Sequence, residues 1–401
     1  MTASLRWRAP EPVKQLPFAT FLPLLRAGVD AAPHRVDLQL KLARTLFHTD
    51  AMPELIDRFQ PALAADTADP ELLFYLGRAA LTTGEAQLAF DALAASAGGG
   101  FLDAFGYLAD ALNRLDRPDQ ALDAALRGLE HSPFDYKALA IAATVLLDRG
   151  EAEQLWDLCT GLRRRGAWGS YVPSVMALAA TSPEQIAEVG TLIDPSRWFL
   201  EKRLPVTGDF NRRLAAELLA EKSATTLPLT KATSGSGTRV GQLELVGGPA
   251  AQELLSHIRA AVEAYVEERT AIAAHPMIAY RPASVALNSW ALKVHHDGHE
   301  TWHLHPAGWI SGVYYVEFPR IERSEDGHPG AIEFGSNPFG RKRTDSAWPS
   351  WHVTPEPGLL LLFPSYYAHR TWPTGVDDPR ICVAFDVMPD EPGLAGTNLK
   401  L

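Results

Sequence analysis

Four short turns recur along the first half of the chain at nearly constant spacing, and that period restricts the fold more than any other feature. The turns are Phe47-His48-Thr49-Asp50, Leu81-Thr82-Thr83-Gly84, Asn113-Arg114-Leu115-Asp116 and Leu147-Asp148-Arg149-Gly150, and their last residues lie 34, 32 and 34 positions apart. Each follows an Ala- and Leu-rich segment such as Leu72 to Leu81, and each precedes another such as Pro118 to Leu126. A helix–turn–helix unit of this size cannot bury its apolar face alone, so neighbouring units must stack. The small residues Gly77, Ala109 and Ala143 fall where paired helices approach closely. Stacked helical pairs are therefore expected over roughly residues 35–200.

The period resembles that of the tetratricopeptide repeat, a helical hairpin of about 34 residues. The resemblance implies either a surface that covers the second half or mediates dimerisation, or a concave groove that docks a protein or peptide substrate. The period does not choose between these roles.

Past about residue 205 the texture changes. Leu204-Pro205-Val206-Thr207-Gly208-Asp209 reads as a junction, Phe210 to Lys222 as a helix, and Thr233-Ser234-Gly235-Ser236-Gly237 as a loop. Pro249 to Arg269 carries a helical stripe of Leu254, Leu255, Ile258, Ala261, Val262 and Tyr265. From Ala283 onward Pro, Gly and aromatic residues rise and the apolar period moves toward two. The segments Trp290 to His295, Ile310 to Glu317, Ala331 to Phe334, Gly358 to Phe363 and Ile381 to Val387 read as strands. Asp297-Gly298 reads as a hairpin turn. Many short strands with such punctuation make a barrel or sandwich, with the preceding helices packed outside. The expected class is α+β multidomain: an extension over residues 1–34, helical repeats over 35–204 and a barrel over 205–401.

Bulk properties exclude several function classes. With 401 residues, 46% of them hydrophobic and 21% charged, the chain has the composition of a globular protein with a large core. A net charge of -11 argues against nucleic acid or an anionic membrane as partner. Cys159 and Cys382 are too far apart for a cysteine metal site and exclude a disulfide framework. The start has no apolar core of signal-peptide length, and no apolar run reaches ~18 residues. A cytoplasmic protein is expected; an oligomer is compatible with all of this.

The chemistry concentrates late in the chain. His303-Leu304-His305-Pro306 gives two imidazoles at i and i+2, and Phe363-Pro364-Ser365-Tyr366-Tyr367-Ala368-His369 brings a third from a distant strand. Neutral imidazole is the commonest protein ligand for iron, copper and zinc, so this set builds a metal face. Arg380, 11 residues past His369, leads the next strand and suits the anchoring of a carboxylate beside that metal. Tyr315 is the hydroxyl best placed to assist. A bare histidine on such a strand is usually an ordinary polar residue, and Arg380 has Asp377 and Asp378 nearby as alternative partners. His295-His296-Asp297 is a rival ligand triplet, but Asp297-Gly298 is better spent on the turn. Trp309, Trp348, Trp351 and Trp372 read equally as packing or as a substrate platform, and Arg341-Lys342-Arg343 as a solvated loop.

Residues from about 205 to 390 resemble the Fe(II)/2-oxoglutarate-dependent oxygenases related to prolyl 4-hydroxylases. The resemblance rests on His303-Leu304-His305-Pro306, Ser311-Gly312-Val313-Tyr314-Tyr315-Val316, Gly330-Ala331-Ile332-Glu333-Phe334, Pro357 to Ser365, His369, and Arg380-Ile381-Cys382-Val383-Ala384-Phe385. It implies a double-stranded β-helix of the jelly-roll or cupin-like kind. It also implies Fe(II), 2-oxoglutarate and O2, and hydroxylation coupled to decarboxylation of 2-oxoglutarate to succinate. By position, His303 and His369 match the iron histidines and Arg380 the 2-oxoglutarate anchor. His305 stands where most members carry Asp or Glu, so it is either a third ligand or a near neighbour of the metal. Two other readings stand beside this one. A cupin-type metal protein shares the barrel and the His-x-His pattern, but would place Glu where this chain has Gly308 and Trp309. A non-catalytic adaptor would use the repeats alone.

Overall fold

The computed structural model describes residues 5–10, 18–49, 51–64, 68–167, 172–206, 208–226, 233–270, 275–279, 281–321, 328–335 and 350–389. The Arg341-Lys342-Arg343 run and Trp348 lie outside these residues. The chain divides between Glu151 and Ala152 into two compact units, the first residues grouping with the second unit.

The helical unit runs α1 (Phe18–Ala31), α2 (Val36–His48), α3 (Met52–Phe59), α4 (Pro70–Thr83), α5 (Ala86–Gly98), α6 (Phe105–Arg114), α7 (Pro118–His131) and α8 (Tyr136–Asp148), each packed on the next along the chain or the next but one. Local sequence sets the boundaries. Asp69 caps α4 by accepting the Glu71 and Leu72 N–H groups, and Pro70 fills the first helical position, where no N–H is needed. Asp135 caps α8 in the same manner. Three of the four recurrent turns end in a left-handed residue: Gly84 at φ 89°, Asp116 at φ 56° and Gly150 at φ 74°. That conformation stops a helix and reverses the chain; the fourth turn ends at Asp50, outside the described residues. A Cβ at Gly77 would sit 2.5 Å from Leu93 Cγ, so only glycine allows α4 and α5 to approach as they do.

The second unit holds α9 (Ala152–Arg164), α10 (Val172–Ala179), α11 (Pro183–Ile193), α12 (Pro195–Trp198), α13 (Phe210–Ala220), α14 (Leu243–Val246), α15 (Pro249–Arg269) and α16 (Pro276–Ala279). Its strands are β1 (Arg6–Trp7), β2 (Leu200–Arg203), β3 (Thr225–Thr226), β4 (Thr233–Ser234), β5 (Gly237–Gly241), β6 (Ser284–Val294), β7 (His299–Glu300), β8 (Ile310–Glu317), β9 (Ile332–Phe334), β10 (Trp351–Val353), β11 (Leu359–Pro364), β12 (His369–Thr371) and β13 (Arg380–Pro389). The major sheet is ordered β2-β11-β8-β13-β6-β5-β3, with β1 on β6; a minor sheet is ordered β10-β9-β12. All described pairings are antiparallel except that of β1 with β6. α13 packs on β8 and α14 on β6, and the major and minor sheets face a shared pocket, the expected double-stranded β-helix with flanking helices.

Two features bear on the expected organisation. The division into compact units falls between Glu151 and Ala152, inside the segment 35–204 expected as repeats, and α9 to α12 group with the barrel strands. Ser174 donates to the Tyr366 carbonyl at 2.6 Å, Tyr265 to the Trp198 carbonyl at 2.6 Å and Tyr366 to the Leu192 carbonyl at 2.7 Å. β2 then pairs with β11 as an edge strand. The expected extension is also divided: β1 adds to the barrel, whereas α1 packs on α2. Secondly, the turn at His296 and Asp297 does not close a hairpin, since β7 pairs with β4 while β6 pairs with β5, β13 and β1.

Candidate metal centre

Alternation along strands builds the site. Ser311, Val313 and Tyr315 of β8, Trp290, Leu292 and Val294 of β6, and Arg380, Cys382 and Ala384 of β13 all line one pocket. Every second residue of a strand faces one side, so these three central strands present one continuous wall. The minor sheet supplies the opposite wall through Ile332, His369 and Thr371. The pocket has about 630 Å³ of empty volume, part of it open to solvent, and contains both His305 and Arg380.

His303 and His369 form a reciprocal β-bridge: the His303 N–H donates to the His369 carbonyl at 3.0 Å and the His369 N–H to the His303 carbonyl at 2.9 Å. The His305 N–H donates to the Ser365 carbonyl at 3.1 Å. Backbone hydrogen bonds therefore fix all three residues before any side chain is considered. Their rings meet: centroids are 4.3 Å apart for His303 and His369, and 5.2 Å for His305 with either partner. One ring nitrogen from each lies within 4.8 Å of the others, the one such cluster of potential ligands among the described residues.

The tautomers follow from the partners. His303 Nδ1 faces the Thr301 carbonyl at 2.8 Å, His369 Nδ1 the Tyr367 carbonyl at 2.9 Å and His305 Nδ1 an Asp386 carboxylate oxygen at 3.1 Å. Each partner only accepts, so each Nδ1 carries a proton, and in the neutral ring Nε2 keeps its lone pair. Burial pushes the pKa of His303 down and that of His369 well down, with the neighbouring imidazoles adding to the effect. For His305 burial also favours the neutral ring, but the charge and hydrogen bond of Asp386, aided by Glu300, outweigh it and raise the pKa. One nitrogen from each ring, with each Nδ1 already bonded, makes a set that could hold a transition-metal ion once the rings are neutral.

Arg380 is 3% exposed and takes no carboxylate partner from Asp377 or Asp378. Its Nη1 donates to the carbonyls of Gly330 at 3.1 Å and Trp372 at 3.3 Å, and its Nη2 to Thr371 Oγ1 at 3.1 Å. Its Nε is buried and has no hydrogen-bond partner among the described residues. An unused Nε on a buried guanidinium leaves a charged donor free to take a carboxylate. Tyr315 is 2% exposed, lies opposite Cys382 across β8 and β13, and has its pKa pushed up by burial. It stays a neutral donor.

Other expectations sort plainly. Asp297 accepts the Ser236 N–H at 3.1 Å and His296 adopts φ 50°, so the His295-His296-Asp297 triplet serves the turn. Trp309 donates to the Met277 carbonyl at 3.0 Å, Trp372 to Glu333 at 3.0 Å, and Trp351 stacks on Phe334 at 5.0 Å; these pack, whereas Trp290 lines the pocket. His352 sits 3.6 Å from Glu333 on the minor sheet. Sequence reasoning passed over Asp386, although an acidic residue inside the apolar run Val383-Ala384-Phe385-Asp386-Val387 was a visible signal. Thr371 and Glu300, both lining the pocket, were also missed.

Residues 288–386 match the family model described as "Putative 2OG-Fe(II) oxygenase". The resemblance read from the sequence therefore holds over the segment that contains the three histidines and Arg380, about a quarter of the chain. The matched segment runs from within β6 to within β13. No curated protein matches the chain significantly. Among solved structures, the chain is similar to a Pseudomonas putida prolyl-4-hydroxylase at 16% identity and TM-score 0.35, over 50% of this chain and 99% of that one. It is similar to the non-heme alpha ketoglutarate dependent epimerase SnoN from nogalamycin biosynthesis at 14% identity and TM-score 0.36, over 52% and 84%. It is also similar to YrrB, a TPR protein with an unusual peptide-binding site, at 14% identity and TM-score 0.35, over 42% and 91%. No helix among the described residues is long and apolar enough to cross a membrane.

Proposed function

We propose that the protein is a non-haem Fe(II)- and 2-oxoglutarate-dependent dioxygenase that hydroxylates a C–H bond of a protein, peptide or amino-acid-like substrate, releasing succinate and CO2. The observation that carries this reading is a three-histidine cluster at a pocket lined by two of its members, His305 and His369, and by a buried guanidinium whose Nε has no partner among the described residues. His303, His305 and His369 would hold the metal through Nε2. Iron bound there supplies dioxygen activation, a reaction outside the reach of protein side chains.

The chain's own residues do the rest. Arg380 would bind the distal carboxylate of 2-oxoglutarate through its Nε edge, with the Tyr315 hydroxyl as a second donor. Hydrogen bonds to Gly330, Trp372 and Thr371 hold the planar guanidinium in its orientation. Leu292, Val313, Ile332 and Phe363 make the walls apolar, which excludes water and strengthens the ion pair. The helical pairs offer the extended surface on which repeat proteins hold partners, so we assign them the docking of a protein or peptide substrate. The free, buried thiols of Cys159 and Cys382 suit a reducing compartment, and we assign the protein to the cytoplasm.

The test is spectroscopic and needs no substrate. Under anaerobic conditions, 2-oxoglutarate added to the Fe(II)-loaded full chain should produce a new visible absorption band from chelation. His303→Ala should abolish the band. A band of equal strength in His303→Ala, or none in the parent, overturns the reading.

A further inference from the structure

We infer that Asp386 is a positioning residue for His305, and that it brings into the metal site, one hydrogen bond away, the negative charge that a ligating carboxylate would supply directly. This inference rests on the metal reading above and concerns how this chain meets its departure at position 305.

The geometry is specific. One carboxylate oxygen of Asp386 takes the His305 Nδ1 proton at 3.1 Å. The other accepts the Ser311 hydroxyl at 2.6 Å. Ser311 Oγ lies 2.8 Å from Ser365 Oγ. Because Ser311 gives its proton to Asp386, Ser365 is the donor of that pair, and a directed chain runs from Ser365 through Ser311 and Asp386 to His305. All its members belong to rigid parts: Asp386 and Ser311 are directly opposite on β13 and β8, and Ser365 follows the last residue of β11.

The chain is sealed. Ser311 and Ser365 are 1% exposed and Asp386 is 7% exposed. The segment from His305 to Trp309 is tied over it by hydrogen bonds from the Gly308 N–H to the His305 carbonyl and from the Ser365 N–H to the Trp309 carbonyl. A Cβ on Gly308 would lie 2.4 Å from Ser365 Oγ and 3.4 Å from Asp386 Oδ1, so the backbone closes directly on the network. A carboxylate is expensive to bury, and it persists in a low-dielectric setting when its partners use the charge. The partners here are a metal-facing imidazole and a hydroxyl that is itself oriented. A carboxylate behind a ligating imidazole fixes the ring, holds the proton on Nδ1 and makes Nε2 a stronger donor. A three-histidine face would otherwise be neutral.

Binding of Co(II) to the metal-free full chain tests this without turnover. Asp386→Asn keeps the size and removes the charge. Its affinity for Co(II) should fall roughly 10- to 100-fold, and the Fe(III)/Fe(II) midpoint potential should move to a more positive value. Asp386→Glu should restore part of the potential, and Ser311→Ala should weaken Co(II) binding by a smaller factor than Asp386→Asn. The melting temperature of each metal-free variant, measured in parallel, separates folding from ligation, and Ser311→Ala serves if Asp386→Asn does not fold. The inference is overturned if Asp386→Asn, or Ser311→Ala in its place, binds Co(II) as tightly as the parent at an unchanged potential. Failure of the metal reading itself looks different: the parent would not bind Co(II), or His303→Ala would bind it equally well, and both readings would fall together.

Discussion

The two units are built from opposite kinds of contact. In the helical unit α4 packs on α5 and α6 on α7, so almost every partner is near in sequence and each hairpin is specified by its own turn and caps. In the barrel unit β13 pairs with β6 and β8, β11 with β2, and β1 with β6, across separations of tens to hundreds of residues. Only the second arrangement can bring His305, His369 and Arg380 to one pocket, with His369 bridged to His303 by ladder hydrogen bonds. The price is that a single error of register would turn the functional residues of a strand to the wrong face. Repetition gives the first unit an extended surface, and closure gives the second a site.

Core truncations probe that contrast with the largest effects. Leu76 and Leu361 are both fully buried. Each truncation to Ala should destabilise its own unit by about 2–5 kcal/mol. Leu76→Ala should leave Co(II) affinity unchanged, whereas Leu361→Ala, on the strand beside β8, should lower it. Calorimetry with metal titration reads both; equal loss of metal affinity in the two variants would break the division of labour.

Arg380→Ala sharpens the role of the pocket end remote from the histidines. Removing a pair of charge-assisted hydrogen bonds costs about 3 kcal/mol, or roughly a 100-fold rise in the 2-oxoglutarate concentration needed for half-maximal turnover. Metal affinity measured without 2-oxoglutarate should stay as in the parent.

Acid should separate the units more gently. His275 stacks on Trp198 with ring centroids 3.6 Å apart, and burial pushes its pKa down to about 4. The unfolded chain takes up a proton below about pH 6.5 that the folded chain refuses, so stability is lost as pH falls from there toward 4. By pH 5 this residue alone should cost the barrel unit about 2 kcal/mol. His303 and His369 shift the same way in metal-free protein. In the helical unit burial raises the Asp135 carboxyl instead, a penalty that acid relieves. Thermal unfolding of the metal-free chain at pH 7 and pH 5 should therefore show the barrel transition moving down further than the helical one, and His275→Phe should reduce the difference.

Legibility in the sequence follows the same divide. The helical turns could be read because Gly84, Asp116 and Gly150 do their work locally. β8 was expected over Ile310 to Glu317 and is found there, because a short apolar run rich in β-branched and aromatic residues marks a buried strand, and α15 is found over Pro249 to Arg269, because period 3.6 is strong over 21 residues. The three histidines and Arg380 were legible as residue types with spacing. What sequence could not supply were contacts made only by the closed fold. Asp386 meets His305 from 81 positions away, and nothing in its own strand announces the partner. The compact division at Glu151 was hidden because α9 to α12 have the same Ala- and Leu-rich texture as the repeats, while hydrogen bonds linking α10, α11 and α12 to Tyr265 and Tyr366 form only in the closed fold.

The most direct measurement is succinate formed from 2-oxoglutarate by the full chain, with Fe(II), in air and anaerobically, for the parent and for His303→Ala. Iron- and oxygen-dependent succinate from the parent that disappears in His303→Ala is the predicted result. Succinate that persists in His303→Ala, or a parent that forms none while binding neither iron nor 2-oxoglutarate, would contradict the oxygenase account and leave a metal-binding or adaptor barrel in its place.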